Sequence, residues 1–191
     1  MLTGKTIVLA VTGGIAAYKS ALIVRELKKR GAEVFVIMTR AAGEFITPLT
    51  LETLSRNPVA IETFDRTNRW DMEHIALADK TNLLLVAPAT ANIIGKAAAG
   101  VADDLASTVI LTMLSSTPML MAPAMNNRMW ENPIVQKNVN TLKECGVLFV
   151  GPVEGKLADG RIGMGRMADV EVIVLKVEEA LQYSNQNSII I

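Results

Sequence analysis

The chain has 191 residues, half of them apolar and a fifth charged, with nineteen Lys and Arg against nineteen Asp and Glu. That length fits one domain of ordinary size and excludes any need for staples. The balanced charge and a mean hydropathy of +0.33 exclude intrinsic disorder and any molecule-wide field for nucleic acid or acidic lipid. One cysteine, Cys145, and one histidine, His74, exclude a disulfide framework and a cysteine-built metal centre. No metal site is expected.

The first apolar run, Thr6 to Val11, has the length and Ile/Val content of a strand. Gly13 and Gly14 break it well short of a membrane span. Ala16 to Arg30 carries apolar residues on one helical side and Arg25, Lys28, Lys29 and Arg30 on the other, and Gly31 ends it. Val34 to Met38 is a second strand. Strand, helix and strand in that order predict a βαβ unit, hence a parallel sheet with a right-handed crossover. The strands are apolar throughout, so both sheet faces are covered.

The rhythm continues. Ala42 to Ser55 predicts one or two short helices interrupted near Pro48, and Val59 to Thr63 a short edge strand. Met72 to Ala78 predicts a turn or two of helix carrying His74. Leu83 to Ala87 is a strand, Thr90 to Ala99 a small-residue helix, and Asp103 to Leu114 a helix with Asp103 as its cap. Met119 to Ala122 is a strand. Asn132 to Cys145 is a helix with Pro133 in its first turn, and Val147 to Val150 a strand. Lys156 to Met167 reads as an extended glycine-rich loop, and Asp169 to Tyr183 as the last helix. The expected fold is a three-layer α/β, Rossmann-like (flavodoxin-like) domain with about five or six parallel strands. No internal repeat is visible. A neutral, apolar chain of this kind is expected to be cytosolic and to self-associate, with no membrane or nucleic-acid partner.

Ligands of such sheets sit at the carboxyl ends of the strands. There the turn Gly13, Gly14, Ile15 and Ala16 presents backbone N–H groups suited to an anion, with Lys19 and Ser20 close behind. The alternative is a tight turn with no ligand. Neither GxGxxG nor GxxxxGK[ST] is present. The second strand ends in Thr39 and Arg40 rather than an acid, which favours a mononucleotide phosphate over a dinucleotide. Later strand ends add Thr90 and Asn92, the adjacent pair Asp103 and Asp104, and Asn126 between two methionines and Trp130. A second acid beside the first is costly unless partnered or wet. A buried Asn needs partners, so Asn126 either binds a ligand or caps a turn. His74 is the residue expected to titrate near neutrality, and Asp71 and Glu73 stand near it in sequence.

Taken together, six segments resemble the homo-oligomeric flavin-containing cysteine decarboxylases. They are TGGIAAYK at Thr12 to Lys19, TPLTLETLS at Thr47 to Ser55, and DMxHI at Asp71 to Ile75. APATAN at Ala87 to Asn92, GVADDLAST at Gly100 to Thr108 and APAMNxxMW at Ala122 to Trp130 follow in the family's order. LADGRIGMGRM, Leu157 to Met167, resembles the family's flap over the substrate. The nearest members are those acting on phosphopantothenoylcysteine, which in bacteria often form the first part of a bifunctional protein.

The resemblance implies an FMN-binding decarboxylase domain over residues 1–183, with 184–191 a tail or the start of a linker to a synthetase domain. It implies FMN as cofactor, held by Gly13, Gly14, Ile15, Ala16, Thr39, Pro88, Ala89, Thr90, Asn92, Asp104, Ser107 and Ala122. His74 is the implied base and Asn126 the holder of the substrate carboxylate. Met129, Ala158, Arg166 and Met167 are implied substrate contacts, and a homotrimer or dodecamer the implied assembly. The implied chemistry is oxidation of the cysteinyl C–S unit to a thioaldehyde, into which the electrons left by CO₂ can delocalise.

One residue departs from the pattern. Where the coenzyme A enzymes carry a flap cysteine that donates a proton in the final reduction, this chain has Asp159. Relatives that modify peptides lack that cysteine and stop at the aminoenethiol. A peptidyl-cysteine decarboxylase, a non-catalytic flavoprotein that works by interaction, and a flavin-free nucleotide-phosphate module therefore stay open alongside the coenzyme A reaction.

Overall fold

The computed structural model describes residues 1–61, 80–114, 117–158 and 160–187, with side chains described through residue 182. The turns of helix expected over Met72 to Ala78, with His74, and the flap residue Asp159 lie outside the described residues. Six strands form one parallel sheet: β1 (Thr6–Val11), β2 (Glu33–Met38), β3 (Val59–Ala60), β4 (Leu83–Ala89), β5 (Met119–Pro123) and β6 (Leu148–Phe149). Their order across the sheet is β3-β2-β1-β4-β5-β6. The helices are α1 (Ser20–Lys29), α2 (Pro48–Ser55), α3 (Ala91–Ala99), α4 (Leu105–Met113), α5 (Asn127–Trp130), α6 (Pro133–Glu144) and α7 (Val170–Asn187). No described helix is long and apolar enough to cross a membrane.

The apolar strands divide their side chains between two cores, as period-two geometry requires. Ile7, Leu9 and Val11 of β1 join Ile23, Val24 and Leu27 of α1 and Ile173, Val174 and Val177 of α7. Val8 and Ala10 face the other way, into Ile93 and Ile94 of α3, Val109 and Ile110 of α4, and Val139 and Leu142 of α6. All seven residues of β4 are buried. The chain runs outward from β1 to β2 and β3, then returns to place β4 on the other side of β1. The β1/β4 boundary is thus the topological switch point, where diverging connections open a crevice.

Three elements differ from expectation. The single helix over Ala16 to Arg30 is a five-residue 3₁₀ turn, Ile15–Lys19, followed by α1. Ala17 is fully buried there, and the Ser20 hydroxyl donates to the Ala87 carbonyl at 2.9 Å, so the tighter turn keeps the chain against β4. The cap of α4 is Asp104, one residue later than expected, in a capping box with Ser107. The glycine-rich segment is an antiparallel ribbon, β7 (Val153–Lys156) with β8 (Ile162–Arg166). Its glycines offer no side-chain alternation to read, yet Gly155 pairs with Gly163 in an antiparallel ladder whose register shifts once, between Val153 and Glu154.

Candidate active site

The ends of β1, β2, β4 and β5 open into one cavity of about 1450 Å³. Pockets for drug-sized ligands run to about 1,000 Å³, so this one has room for a cofactor and a second molecule. Its back wall is fastened by one hydroxyl. Thr12 Oγ1, almost fully buried, donates to the Pro88 carbonyl at 2.7 Å and lies 3.2 Å from Thr90 Oγ1. The Thr90 N–H donates back to Thr12 Oγ1 at 3.3 Å, and Thr90 Oγ1 caps α3 by accepting from the Ile93 N–H at 3.4 Å. The two strand ends that flank the switch point are thus tied to each other directly.

The glycine turn follows. A Cβ on Gly13 would overlap the Ala41 side chain and stand 2.9 Å from the Ala41 carbonyl carbon. Only glycine lets this turn close against the 3₁₀ segment Arg40–Glu44. Thr39 Oγ1 starts that segment by accepting from the Ala42 N–H at 3.2 Å. Gly13, Gly14, Ile15, Ala16 and Thr39 all line the cavity. This cradle of backbone and hydroxyl groups beside apolar Ile15 fits the phosphate and ring of a flavin mononucleotide.

Thr90, Asn92, Lys96, Asp103 and Asp104 line a second wall. Lys96 Nζ lies 2.5 Å from Asp103 and 2.6 Å from Asp104. The hydrogen bonds that Lys96 donates to Asp103 first and then to Asp104 hold its ammonium above its ordinary range. Burial alone would push Asp104 up, but Lys96 and the backbone and hydroxyl of Ser107 together outweigh it, so the carboxyl sits below its ordinary value. The adjacent acids are therefore partnered by one cation. Sequence reading missed Lys96, although two neighbouring acids ahead of a helix called for such a cation.

Asn126 and Met129 line the third side, together with Ala158, Arg166 and Met167 from the ribbon and its flanks. Asn126 Oδ1 accepts from the Arg128 N–H at 2.9 Å and so caps α5. The ribbon rests on this same segment: the Met125 N–H donates to the Gly165 carbonyl at 3.0 Å, and a Cβ on Gly163 would stand 3.2 Å from Asn127 Cβ. Arg166 pairs with Asp169. Lys19 lines the cavity as well, its ammonium pushed down first by burial and then by Arg166, against the opposing pull of Asp169.

Four expected flavin contacts do not line the cavity. Pro88, Ala89, Ala122 and Ser107 are buried beneath its wall. Pro88 serves through its carbonyl, as the acceptor of Thr12, and Ser107 through the capping box of Asp104. Among the described residues no cluster of His, Cys, Asp and Glu could hold a metal ion.

Residues 1–182 match the model of a protein family described as Flavoprotein. The chain is 45% identical over 181 residues to the coenzyme A biosynthesis bifunctional protein CoaBC of Vibrio vulnificus, covering 95% of this chain and 45% of that one. It thus spans less than half the length of that bifunctional relative. A probable phosphopantothenoylcysteine decarboxylase of Streptococcus mutans is also 45% identical, over 93% of this chain and 99% of its own. The solved structure of a PPC decarboxylase mutant complexed with pantothenoylaminoethenethiol superposes with a TM-score of 0.79 at 29% identity, covering 91% of this chain and 96% of that one.

Proposed function

Since the chain belongs to the Flavoprotein family, we propose that it is an FMN-dependent carboxy-lyase that converts 4'-phospho-N-pantothenoylcysteine to 4'-phosphopantetheine in coenzyme A biosynthesis. One observation carries this reading. The glycine turn, Asn126, Arg166 of the ribbon and Ala158 and Met167 at its flanks converge on one cavity, and a relative matched over 99% of its length bears that decarboxylase's name.

A cysteinyl carboxylate does not lose CO₂ readily, because the electrons left on carbon need an acceptor. When bound, FMN supplies the hydride chemistry that side chains cannot. Gly13, Gly14, Ile15, Ala16 and Thr39 would hold it, with Thr90, Asn92 and Asp104 on the adjoining wall. Asn126 holds the substrate carboxylate with neutral N–H donors. A lysine or arginine there would stabilise the carboxylate ground state and oppose its loss. His74 removes a proton at the reacting cysteinyl group. The β7–β8 ribbon, with Met167 at its foot, keeps water from the reactive thiocarbonyl. Asp159, in the place of the flap cysteine, delivers the proton of the final reduction.

The assembly is a homotrimer or a dodecamer of such trimers. The test is product mass after incubation of the purified yellow protein with phosphopantothenoylcysteine. 4'-Phosphopantetheine is expected. His74→Asn and Asn126→Asp keep the visible flavin spectrum and lose CO₂ release, and full turnover by either variant removes the role given to that residue.

Asp159 favours a second reading, in which the chain decarboxylates a peptide ending in cysteine and releases the aminoenethiol. A product two hydrogens lighter, made from a cysteine-ended peptide and not from phosphopantothenoylcysteine, selects it.

A further inference from the structure

The two strand ends at the switch point meet through a pair of hydroxyls, and the protons of that pair can be placed one by one. Thr12 is 2% exposed. Its hydroxyl carries a single proton. That proton lies between the Pro88 carbonyl at 2.7 Å and Thr90 Oγ1 at 3.2 Å, with Thr12 the donor in both contacts. Thr12 Oγ1 in turn accepts from the Thr90 N–H at 3.3 Å. Thr90 Oγ1 accepts a second time, from the Ile93 N–H at 3.4 Å. A threonine oxygen has two lone pairs. Those of Thr90 face Thr12 and the start of α3, so what its hydroxyl has left to offer is its own proton. Among the described residues none accepts that proton, and Thr90 lines the cavity.

We propose that Thr12 is a positioning residue: it makes the Thr90 hydroxyl a dedicated donor, aimed into the cavity at a phosphate oxygen of the cofactor. The inference rests on the FMN part of the function above and is independent of the substrate. Thr90 stands beside the glycine turn, since a Cβ on Gly14 would lie 3.5 Å from Thr90 Cγ2. The turn offers its N–H groups to an anion. A phosphate dianion only accepts, so a hydroxyl held as a donor suits it, and a bond to a charged oxygen is about twice as strong as one to a neutral group. A freely turning threonine would serve a ligand hydroxyl equally well by accepting from it. With both lone pairs engaged, Thr90 does not.

The same strand end provides a control. Ser20, fully buried, donates to the Ala87 carbonyl at 2.9 Å, one residue before Pro88. It ties the chain to β4 by the same kind of bond, but from outside the cavity lining.

The full chain, freed of flavin, is titrated with FMN and with riboflavin, and binding is read from the quenching of flavin fluorescence. Thr90→Val should weaken FMN by about tenfold or more, and riboflavin, which lacks the phosphate, by much less. Thr12→Val should weaken FMN by about fivefold, and Thr12→Ser, which keeps the hydroxyl, should restore the affinity. Thr12→Val and Ser20→Ala each strip a buried carbonyl of its partner, so both should lower the urea midpoint. Ser20→Ala should nevertheless bind FMN as the wild type does. In the double variant Thr12→Val with Thr90→Val, FMN affinity should equal that of Thr90→Val alone, because Thr12 acts through Thr90. Should Thr12→Val fail to fold, Thr12→Ala, whose smaller side chain leaves room for a water at the Pro88 carbonyl, takes its place in the cycle. Independent losses from the two positions, wild-type affinity in the Thr12 variant, or an equal loss from Ser20→Ala overturns the proposal. Equal losses of FMN and riboflavin in Thr90→Val put the acceptor away from the phosphate and overturn it as well. A wild type that binds neither flavin sinks the FMN reading together with this one. A wild type that binds FMN and shows the coupling but releases no CO₂ sinks the decarboxylase reading and leaves this inference standing.

Discussion

Met125 and Gly165 meet backbone to backbone. The Met125 N–H donates to the Gly165 carbonyl at 3.0 Å, and the face of Gly165 that would carry a Cβ is closed by the Met125 carbonyl oxygen. Gly165 lies where the register of the ribbon shifts, between the pairs Val153–Arg166 and Glu154–Met164, so its carbonyl is turned out of the ladder toward the Asn126 segment. The ribbon over the cavity and the segment that carries Asn126, the residue proposed to hold the carboxylate, are therefore joined by this contact.

Gly165→Ala should separate them. The added methyl cannot be accommodated without moving backbone, at a cost of about 1–3 kcal/mol. The expected result is a protein that folds and stays yellow but releases CO₂ at least tenfold more slowly. Turnover at the wild-type rate would show that the ribbon does not position Asn126.

Asn126 has two duties that substitutions can separate. Its side chain caps α5, and the proposed chemistry needs its amide N–H toward the carboxylate. Asp caps a helix as well as Asn does, whereas Ala loses about 1 kcal/mol at such a position. Asn126→Asp should therefore keep the wild-type urea midpoint and lose activity, because its charge repels the carboxylate. Asn126→Ala should lose activity and lower the midpoint too. Equal midpoints for all three proteins would remove the capping role.

How far the sequence carries can be judged from particular elements. β1 and β4 were legible because strands covered on both faces need apolar residues along their length, and Ile7–Val11 of β1 and all of β4 are buried. Gly13 and Gly14 were legible as a turn because a backbone packed as closely as Gly13 is against Ala41 leaves no room for a side chain. The tie from Thr12 to Thr90 was not, since it joins residues 78 apart that become neighbours only when β4 is laid beside β1. The β7–β8 ribbon was hidden for another reason: its order lies in backbone hydrogen bonds, which glycines form without leaving any hydrophobic period. Pro88, Ala89, Ser107 and Ala122 stood in motifs that do meet the cavity, and spacing alone could not say which members of a motif face it and which support it from beneath.

The Lys96–Asp103–Asp104 cluster gives a pH signature. The Asp104 carboxyl is held low, so its contribution to stability is complete above the ordinary carboxylate range and fades as the pH falls through its folded value. Lys96 is held high, so its contribution is complete below the ordinary lysine range and fades as the pH rises through its own folded value. Between those limits both are charged. Asp104→Ala also loses the capping box of α4, and should cost about 1 kcal/mol or more at neutral pH. Asp104→Asn keeps the cap and loses only the charge, and should cost less. As the pH falls below the ordinary carboxylate range and through the lowered folded value of Asp104, the gap between wild type and Asp104→Asn should close. Urea titrations from pH 2 to 8 would check this, and a gap that stays constant to the acid end would refute the charge pairing.

Gly13 approaches Ala41 so closely that any side chain must move the turn away from the Arg40–Glu44 segment, and Thr39, which starts that segment, lines the same cavity. The main sheet lies behind the turn and is fixed by β1, β2 and β4. Gly13→Val should therefore leave the far-ultraviolet spectrum near that of the wild type but yield a colourless protein. Flavin added back should bind at least tenfold more weakly, because the cradle of N–H groups is displaced as a unit. Ala41→Gly in the same chain makes room for part of the new side chain, and should restore some colour. If Gly13→Val alone kept a full complement of flavin, the glycine turn would not be the cofactor's anchor, and the assignment of this wall of the cavity would have to be rebuilt from Thr90 and Asp104.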